Sequence, residues 1–160
     1  MNKKRLISEM KAYFGGDKKR IDHALRVLGF AEKILERENG NPDIVVPAAI
    51  FHDIGIHEAE KKYGSNAGKY QEMEGPPIAR RILRSSGISE SVINEVCEII
   101  AHHHSPGKVN TQNFRALFDA DWLVNLPDEY DIKNKKNTEK TIEKLFLTKT
   151  GREIARAMFL

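Results

Sequence analysis

The sequence predicts an all-α protein with a single domain, and three observations lead to this prediction. Apolar residues recur at helical spacing along nearly the whole chain. Glycine and proline lie between the periodic segments, where they would separate one helix from the next. The chain has 160 residues, a length that suits one domain. We therefore expect one helical bundle spanning residues 1–160.

The first clear helix is predicted between Lys19 and Arg37. Its apolar residues form one broad stripe, which is typical of a helix that packs on a core with one face. His23 lies at the edge of this stripe. The sequence Gly40-Asn41-Pro42 is expected to end the helix.

The next segment, from Asp43 to Ile54, is apolar all round. This pattern predicts a helix buried at the centre of the domain. Pro47 is compatible with it if the proline lies in the first turn. His52 and Asp53 stand together at the far end, so two titratable groups are carried into the predicted core.

A glycine-rich segment follows and is expected to form a loop, with glycines at Gly55, Gly64, Gly68 and Gly75. Pro76-Pro77 is suited to the first turn of the following helix, which Gly87 would close. A further helix is predicted from about Ser89 to the triple histidine. Its apolar face, extended by one turn, takes in His103 and His104, whereas His102 points away.

A later helix is predicted from Phe114 to Leu126. Asp119 and Asp121 flank its apolar stripe on opposite sides, so periodicity does not distinguish which of the two faces a site. Two short helices within residues 138–160 are expected to close the bundle.

Composition excludes several classes of function. The net charge is only +3 with basic and acidic residues interspersed, which disfavours nucleic acid as a partner and permits a small anionic substrate. No apolar run approaches the roughly 20 residues of a membrane span, and the N-terminus lacks the apolar stretch of a signal peptide, so we expect a cytoplasmic protein. Cys97 is the only cysteine, so a redox pair is excluded.

The pair His52-Asp53 predicts a metal site. A buried carboxylate without a partner costs several kcal/mol, so Asp53 should be paired, protonated or bound to a cation. Imidazole and carboxylate are standard ligands of zinc, iron and manganese, although a buried ion pair that caps the helix would also account for the two residues. The remaining ligands must come from other helices, and the candidates beside apolar stripes are His23, His103, His104, Asp119 and Asp121.

These residues, in this order, resemble the H…HD…D signature of the HD-domain metal-dependent phosphohydrolase superfamily. The flanking sequences AAIFHDIG, EGPPIARRIL and IIAHHH are similar as well, and the resemblance covers residues 21–126. It implies a helical bundle with a metal site between the central helices. It also implies the metal ligands His23, His52, Asp53 and Asp121, the last because Ala120-Asp121 matches the family's usual Ala-Asp pair.

The resemblance leaves the number of metal ions open. Members with a second ion supply two more histidines between the HD pair and the last aspartate. The region of His103 provides the later one, whereas Glu74 stands near the position of the earlier one. Glu74 is therefore a candidate second-metal ligand or general acid, or simply an acidic residue before a helix start, where the helix dipole favours it. Asp53, His103 and Glu74 are the predicted catalytic residues.

The function that the resemblance implies is hydrolysis of a phosphoester by a metal-activated water. The expected substrate is a nucleotide or another small phosphorylated metabolite, and the expected cofactor is a divalent ion (Mn, Fe, Ni, Zn or Co), with one or two ions per chain. Two alternatives remain open: a di-iron oxygenase of the same superfamily, and a non-catalytic module that binds a ligand in a regulatory role. The sequence permits an oligomer without predicting one.

Overall fold

The computed structural model describes all 160 residues, and its regular secondary structure is entirely helical. The all-α prediction is therefore confirmed. The nine helices are α1 (Lys3–Phe14), α2 (Lys18–Leu35), α3 (Pro42–Phe51), α4 (Ile56–Tyr63), α5 (Gly68–Ser85), α6 (Glu90–His102), α7 (Gln112–Glu129), α8 (Lys135–Leu145) and α9 (Lys149–Phe159). None of them has the combination of length and apolar character that a membrane span needs.

Helix α3 lies at the centre of the bundle. It packs against α1, α2, α6 and α7, and every residue from Ile44 to Phe51 is buried. Apolar residues of all these helices join one continuous core. Since His52 and Asp53 follow directly at the end of α3, their side chains enter the region where α2, α6 and α7 also meet.

Pro47 lies one turn later in α3 than the sequence analysis required. The helix begins at Pro42, and the Asn41 side chain accepts a hydrogen bond from the backbone N–H of Asp43 at 2.9 Å. Pro47 is thus in the second turn, where it leaves the carbonyl of Asp43 without its helical partner. Asp43 is exposed, so water can hydrate that carbonyl and the helix continues.

Helices replace most of the loop predicted between Gly55 and Gly75. Helix α4 occupies its first part and ends at Gly64, whose φ of 65° is left-handed. Helix α5 begins at Gly68 and runs through Pro76-Pro77, so the prediction that these prolines start the helix was wrong. Pro76 and Pro77 have no N–H, so the carbonyls of Glu72 and Met73 receive no helical hydrogen bond from them.

Gly55 and Gly75 allow the segment after Asp53 to approach α5 closely. A Cβ atom on Gly55 would lie 2.5 Å from the backbone nitrogen of Gly75 and 2.9 Å from the carbonyl oxygen of Gln71. Both neighbours are backbone atoms, which cannot move without shifting α5. The glycine pair therefore fixes the distance between Asp53 and the helix that faces it.

We expect Gly55→Ala to lower the free energy of unfolding by about 2 kcal/mol, because the added methyl group overpacks this contact. Urea denaturation followed by circular dichroism measures the change. Gly29→Ala is the matched control, since a Cβ there meets nothing within 4 Å and alanine favours the helix. A Gly55→Ala protein as stable as the wild type would contradict the close approach.

Candidate metal centre

Side chains from two helices and from the turn that follows α3 converge on a single point. His23 comes from α2, His52 and Asp53 from the end of α3, and Asp121 from α7. The His23 Nε2 atom lies 3.2 Å from His52 Nε2, 3.2 Å from Asp53 Oδ2 and 3.1 Å from Asp121 Oδ1. His52 Nε2 lies 3.3 Å from the same two carboxylate oxygens. These four residues form the ligand group.

The orientation of His52 suits metal binding. Its Nδ1 atom lies 2.8 Å from the carbonyl oxygen of Ala49, so Nδ1–H donates to the backbone. In its neutral form the ring then presents the lone pair of Nε2 to two carboxylate oxygens and to His23. A proton on Nε2 could be hydrogen-bonded to only one of these acceptors at a time, whereas a cation between them could bind all of them.

The spacing of the donor atoms fits a metal ion. Ligand atoms about 2.0–2.2 Å from one ion are separated by about 2.8–3.6 Å for octahedral to tetrahedral angles. The measured separations of 3.1–3.3 Å lie inside this range. His23, His52 and Asp121 form a group that could hold a metal, and Asp53 Oδ2 lies beside them. The residues present therefore fit a divalent ion.

A second set of donor atoms shares Asp53. Its Oδ1 atom lies 3.3 Å from Nε2 of His103, a residue that follows α6 and donates from Nδ1 to the carbonyl of Ile100 at 2.6 Å. Asp53, His103 and His104 also form a group that could hold a metal. The two oxygens of Asp53 thus face two different ligand sets, as a bridging carboxylate would.

Helix α5 holds His104. The Nε2 atom of His104 lies 2.9 Å from Oε1 of Gln71, and its backbone N–H donates to Glu72 at 3.1 Å. A Cβ atom on Gly68 would come within 2.9 Å of the ring. Burial lowers the pKa of His104 to about 4, so the ring is neutral at pH 7, the form in which histidine binds metals.

Charge and burial oppose each other in the ligand group. Burial lowers the pKa of His52, but Asp53 and Asp121 outweigh this effect and raise it well above its usual range. Burial raises the carboxyl pKa of Asp121, but His52 and His23 hold it well below its usual range. The carboxylates of the ligand group therefore stay ionised in the core only when positive charge lies beside them. Protonated histidines or a metal ion can supply that charge.

A cleft opens onto the ligand group in two parts. The polar part has a volume of about 530 Å³, with His23 and Asp53 in its wall and the cationic side chains of Lys19 and Arg20 at its edge. The second part has a volume of about 260 Å³ and includes His103 and Asp121. The ligand group is thus reachable by a small molecule.

A comparison with protein-family models decides the family. The model described as HD domain matches residues 20–126 of this chain. The chain belongs to the HD domain family. The matched segment includes all four residues of the ligand group and runs from α2 through most of α7. No match to the chain was found among curated proteins or among solved structures.

The HD domain does not bring Glu74 to the ligand group. The Glu74 carboxylate accepts hydrogen bonds from Lys62 at 2.7 Å and from the Tyr63 hydroxyl at 3.0 Å, and it lines neither part of the cleft. The Lys62 ammonium holds the pKa of Glu74 below its usual value, which disfavours a general acid. This geometry argues against the catalytic role predicted for Glu74, and Gln71, one turn earlier, reaches the site instead.

The structure also shows which of Asp119 and Asp121 faces the ligand group, which periodicity did not distinguish. Asp121 faces the ligand group, whereas Asp119 is buried on the other side of α7. Asp119 accepts hydrogen bonds from the backbone N–H groups of Leu147 and Thr148, both at 2.8 Å, and from the Thr148 hydroxyl at 2.6 Å. Asp119 therefore anchors the start of α9.

Several cleft residues of the HD domain were missed by sequence reasoning. Asn125 donates to Oδ1 of Asp121 at 2.9 Å, and its position one helical turn after Asp121 was a usable signal. Lys19 and Arg20 lie about one turn before His23, so helical spacing would have placed them near it. Trp122 gave no such signal, because a partly buried aromatic next to a stripe is ordinary core packing.

Proposed function

We propose that this chain is a metal-dependent phosphohydrolase that hydrolyses a phosphoester of a nucleotide or another small phosphorylated metabolite. The observation that carries the proposal is the convergence of four side chains at the wall of an open cleft. The Nε2 atoms of His23 and His52 lie within hydrogen-bond distance of each other and of one oxygen each of Asp53 and Asp121. Burying these polar and charged groups together costs free energy when no cation compensates them. Membership of the HD domain family supports a divalent metal ion as that cation.

His23, His52, Asp53 and Asp121 would hold the ion. When bound, a divalent ion supplies a water of lowered pKa and polarises a phosphoryl oxygen. The reaction forms a bond between the water oxygen and phosphorus while the bond to the leaving oxygen breaks, and that oxygen takes up a proton.

Residues of the cleft prepare the site for a phosphate. Lys19 and Arg20 carry positive charge at the edge of its polar part, on the helix that also carries His23. Arg20 is only loosely engaged, with Glu60 at 4.0 Å, so its guanidinium can turn to a phosphate. Asn125 fixes Asp121 through the hydrogen bond to Oδ1, and this holds the carboxylate in its orientation.

The test is hydrolysis by protein loaded in turn with Mn, Fe, Ni, Zn or Co, on a panel of nucleoside monophosphates and sugar phosphates, with release of inorganic phosphate as the readout.

We expect Arg20→Gln to raise KM at least fivefold with a smaller change in kcat, because the Arg20 guanidinium binds the phosphate equally in the ground state and in the transition state. Arg26→Gln, an exposed arginine further along α2, is the control. Absence of phosphate release with every metal and substrate would contradict the proposal.

A di-iron oxygenase is the second candidate, and one observation favours it. Asp53 shares its two oxygens between the ligand group and the His103-His104 pair, which offers places for two ions. Two irons per chain, with oxygen consumption in place of phosphate release, would establish this alternative.

A further inference from the structure

The smaller part of the cleft differs from the polar part in its walls. Phe118, Trp122, Pro106 and Leu145 give it an aromatic and apolar lining. The Trp122 ring packs at an angle against Phe118 and Tyr130, with ring centroids 6.5 Å and 5.7 Å away. This aromatic pocket therefore places aromatic and apolar side chains beside Asp121, which lines the same pocket.

The charges of the two parts differ as well. No lysine or arginine lines the aromatic pocket, and its one charged side chain outside the predicted ligands is the carboxylate of Glu129. Glu129 lines the polar part as well, together with Asp128, but only the polar part has cationic side chains, Lys19 and Arg20, that can attract a phosphate. The aromatic pocket thus suits an uncharged portion of a substrate.

One molecule can occupy both parts at once. His104, Asn125 and Glu129 line each of them, so the parts adjoin. Asp121 lies in the wall of the aromatic pocket, while His23 and Asp53 lie in the wall of the polar part. The ligand group therefore borders both parts, so a phosphate at the ligand group can have the rest of its molecule in the aromatic pocket.

The polar atoms of the aromatic pocket favour a ligand that donates hydrogen bonds. Asn125 uses its amide nitrogen on Asp121 and its amide oxygen makes no hydrogen bond within the protein. The carboxylate of Glu129, an exposed residue that lines the pocket, can likewise accept a hydrogen bond. A volume of about 260 Å³ is smaller than the roughly 300–1,000 Å³ of a site for a whole drug-sized ligand, so it fits a fragment.

A flat, uncharged group with N–H donors is the chemistry of an amino-bearing nucleobase. We infer that the aromatic pocket binds the base of a nucleoside monophosphate by stacking on Trp122, with the phosphate at the ligand group. This inference rests on the proposed function and narrows its substrate class from phosphorylated metabolites in general to nucleotides.

Trp122 is the only tryptophan of the chain, so its fluorescence reports on the pocket without any need for activity. Adenosine is titrated into the wild-type protein, with excitation at a wavelength that the base does not absorb, and ribose is titrated as the control. We expect adenosine to quench the fluorescence with saturation and ribose to leave it unchanged. No quenching by adenosine, or an equal effect of ribose, would overturn the inference.

Kinetics separate this inference from the proposed function. With metal-loaded protein, Trp122→Leu should lower kcat/KM for adenosine 5′-monophosphate about tenfold, the scale of one lost base stack, and change that for ribose 5-phosphate less than twofold. Phe30→Leu, at a partly buried aromatic of α2 outside the cleft, should leave kcat/KM for both substrates unchanged.

An equal loss of kcat/KM on both substrates in Trp122→Leu would show that Trp122 only supports the ligand group, and would overturn the inference. Saturable quenching by adenosine without hydrolysis of any phosphoester would leave the base pocket established and would contradict the phosphohydrolase.

Discussion

An Asp53→Ala protein is expected to lose metal retention and phosphoester hydrolysis together. Asp53 lies against His23, His52 and His103 and is the one residue whose oxygens serve both ligand sets. Its removal takes away a ligand and the negative charge that balances a bound cation. We expect hydrolysis to fall at least a thousandfold, measured with protein whose metal content has been determined.

Thermal unfolding shows whether this loss comes from the metal. At a free metal concentration of about 100 times Kd, binding stabilises the wild-type protein by roughly 3 kcal/mol, or about 5–10 °C in Tm. The Tm of Asp53→Ala should not respond to metal, while its helical circular dichroism remains. Asp22→Ala, an exposed carboxylate on α2, should respond like the wild type. A wild-type Tm indifferent to metal, combined with an unfolded Asp53→Ala protein, would identify a structural ion pair instead.

An Asp119→Ala protein is expected to be destabilised by about 3 kcal/mol or more. The substitution leaves the N–H groups of Leu147 and Thr148 and the Thr148 hydroxyl without their acceptor, and each unsatisfied buried donor costs about 1–3 kcal/mol. Since small domains are stable by only about 5–15 kcal/mol, this is a large share of the total. Urea denaturation at neutral pH measures it.

A second substitution tests the same contact from the other side. Gly151 lies so close to Asp119 that a Cβ atom would overlap its Oδ2, so Gly151→Ala should also be destabilising. Asp119→Asn keeps the shape and one acceptor oxygen, so its loss should be smaller than that of Asp119→Ala. Equal stability of Asp119→Ala and the wild type would show that α9 is held mainly by its apolar contacts.

The pH dependence of this anchor has a defined sign. Burial raises the pKa of the Asp119 carboxyl to about 6, against an ordinary value of 3.8. Between these values the folded protein binds more protons than the unfolded chain at this residue. Its contribution to the free energy of unfolding therefore falls as the pH rises from about 4 to about 6. The slope of stability against pH in this window should be less negative in Asp119→Asn than in the wild type.

The central part of the fold was predictable because its signals are local and strong. The apolar run before His52 indicated a buried helix, and α3 is buried along nearly its whole length. The helix predicted from Ser89 to the histidines corresponds to α6, and the two C-terminal helices correspond to α8 and α9. In each of these segments apolar spacing and the bounding residues point to the same structure.

The errors concern places where tertiary packing overrides local propensity. Glycines from Gly55 to Gly75 indicated a loop and Pro76-Pro77 a helix start, yet α4 and α5 cover most of this segment, where Gly55 and Gly75 let two backbones touch. Helix α1 was not predicted, although Leu6, Met10 and Phe14 lie at helical spacing and are buried. The charges of that short segment masked its apolar face.

The candidate site could be predicted in part, and the limit has a physical reason. His23, His52, Asp53 and Asp121 were proposed as one group from the resemblance, and the structure brings them together. The surroundings depend on how α5 and α7 approach the group. Gln71 and Asn125 are polar residues with ordinary spacing, and only their position in three dimensions gives them contacts with His104 and Asp121.

The metal content per chain, measured by elemental analysis on protein purified without added metal and without oxygen, tests the account most directly. One divalent ion per chain is predicted for the group of His23, His52, Asp53 and Asp121, and its loss in Asp53→Ala would confirm the position. Two irons per chain would favour the oxygenase and the shared role of Asp53. No metal, even after incubation with manganese, nickel, iron, zinc or cobalt, would contradict the metal centre and leave a non-catalytic ligand-binding module.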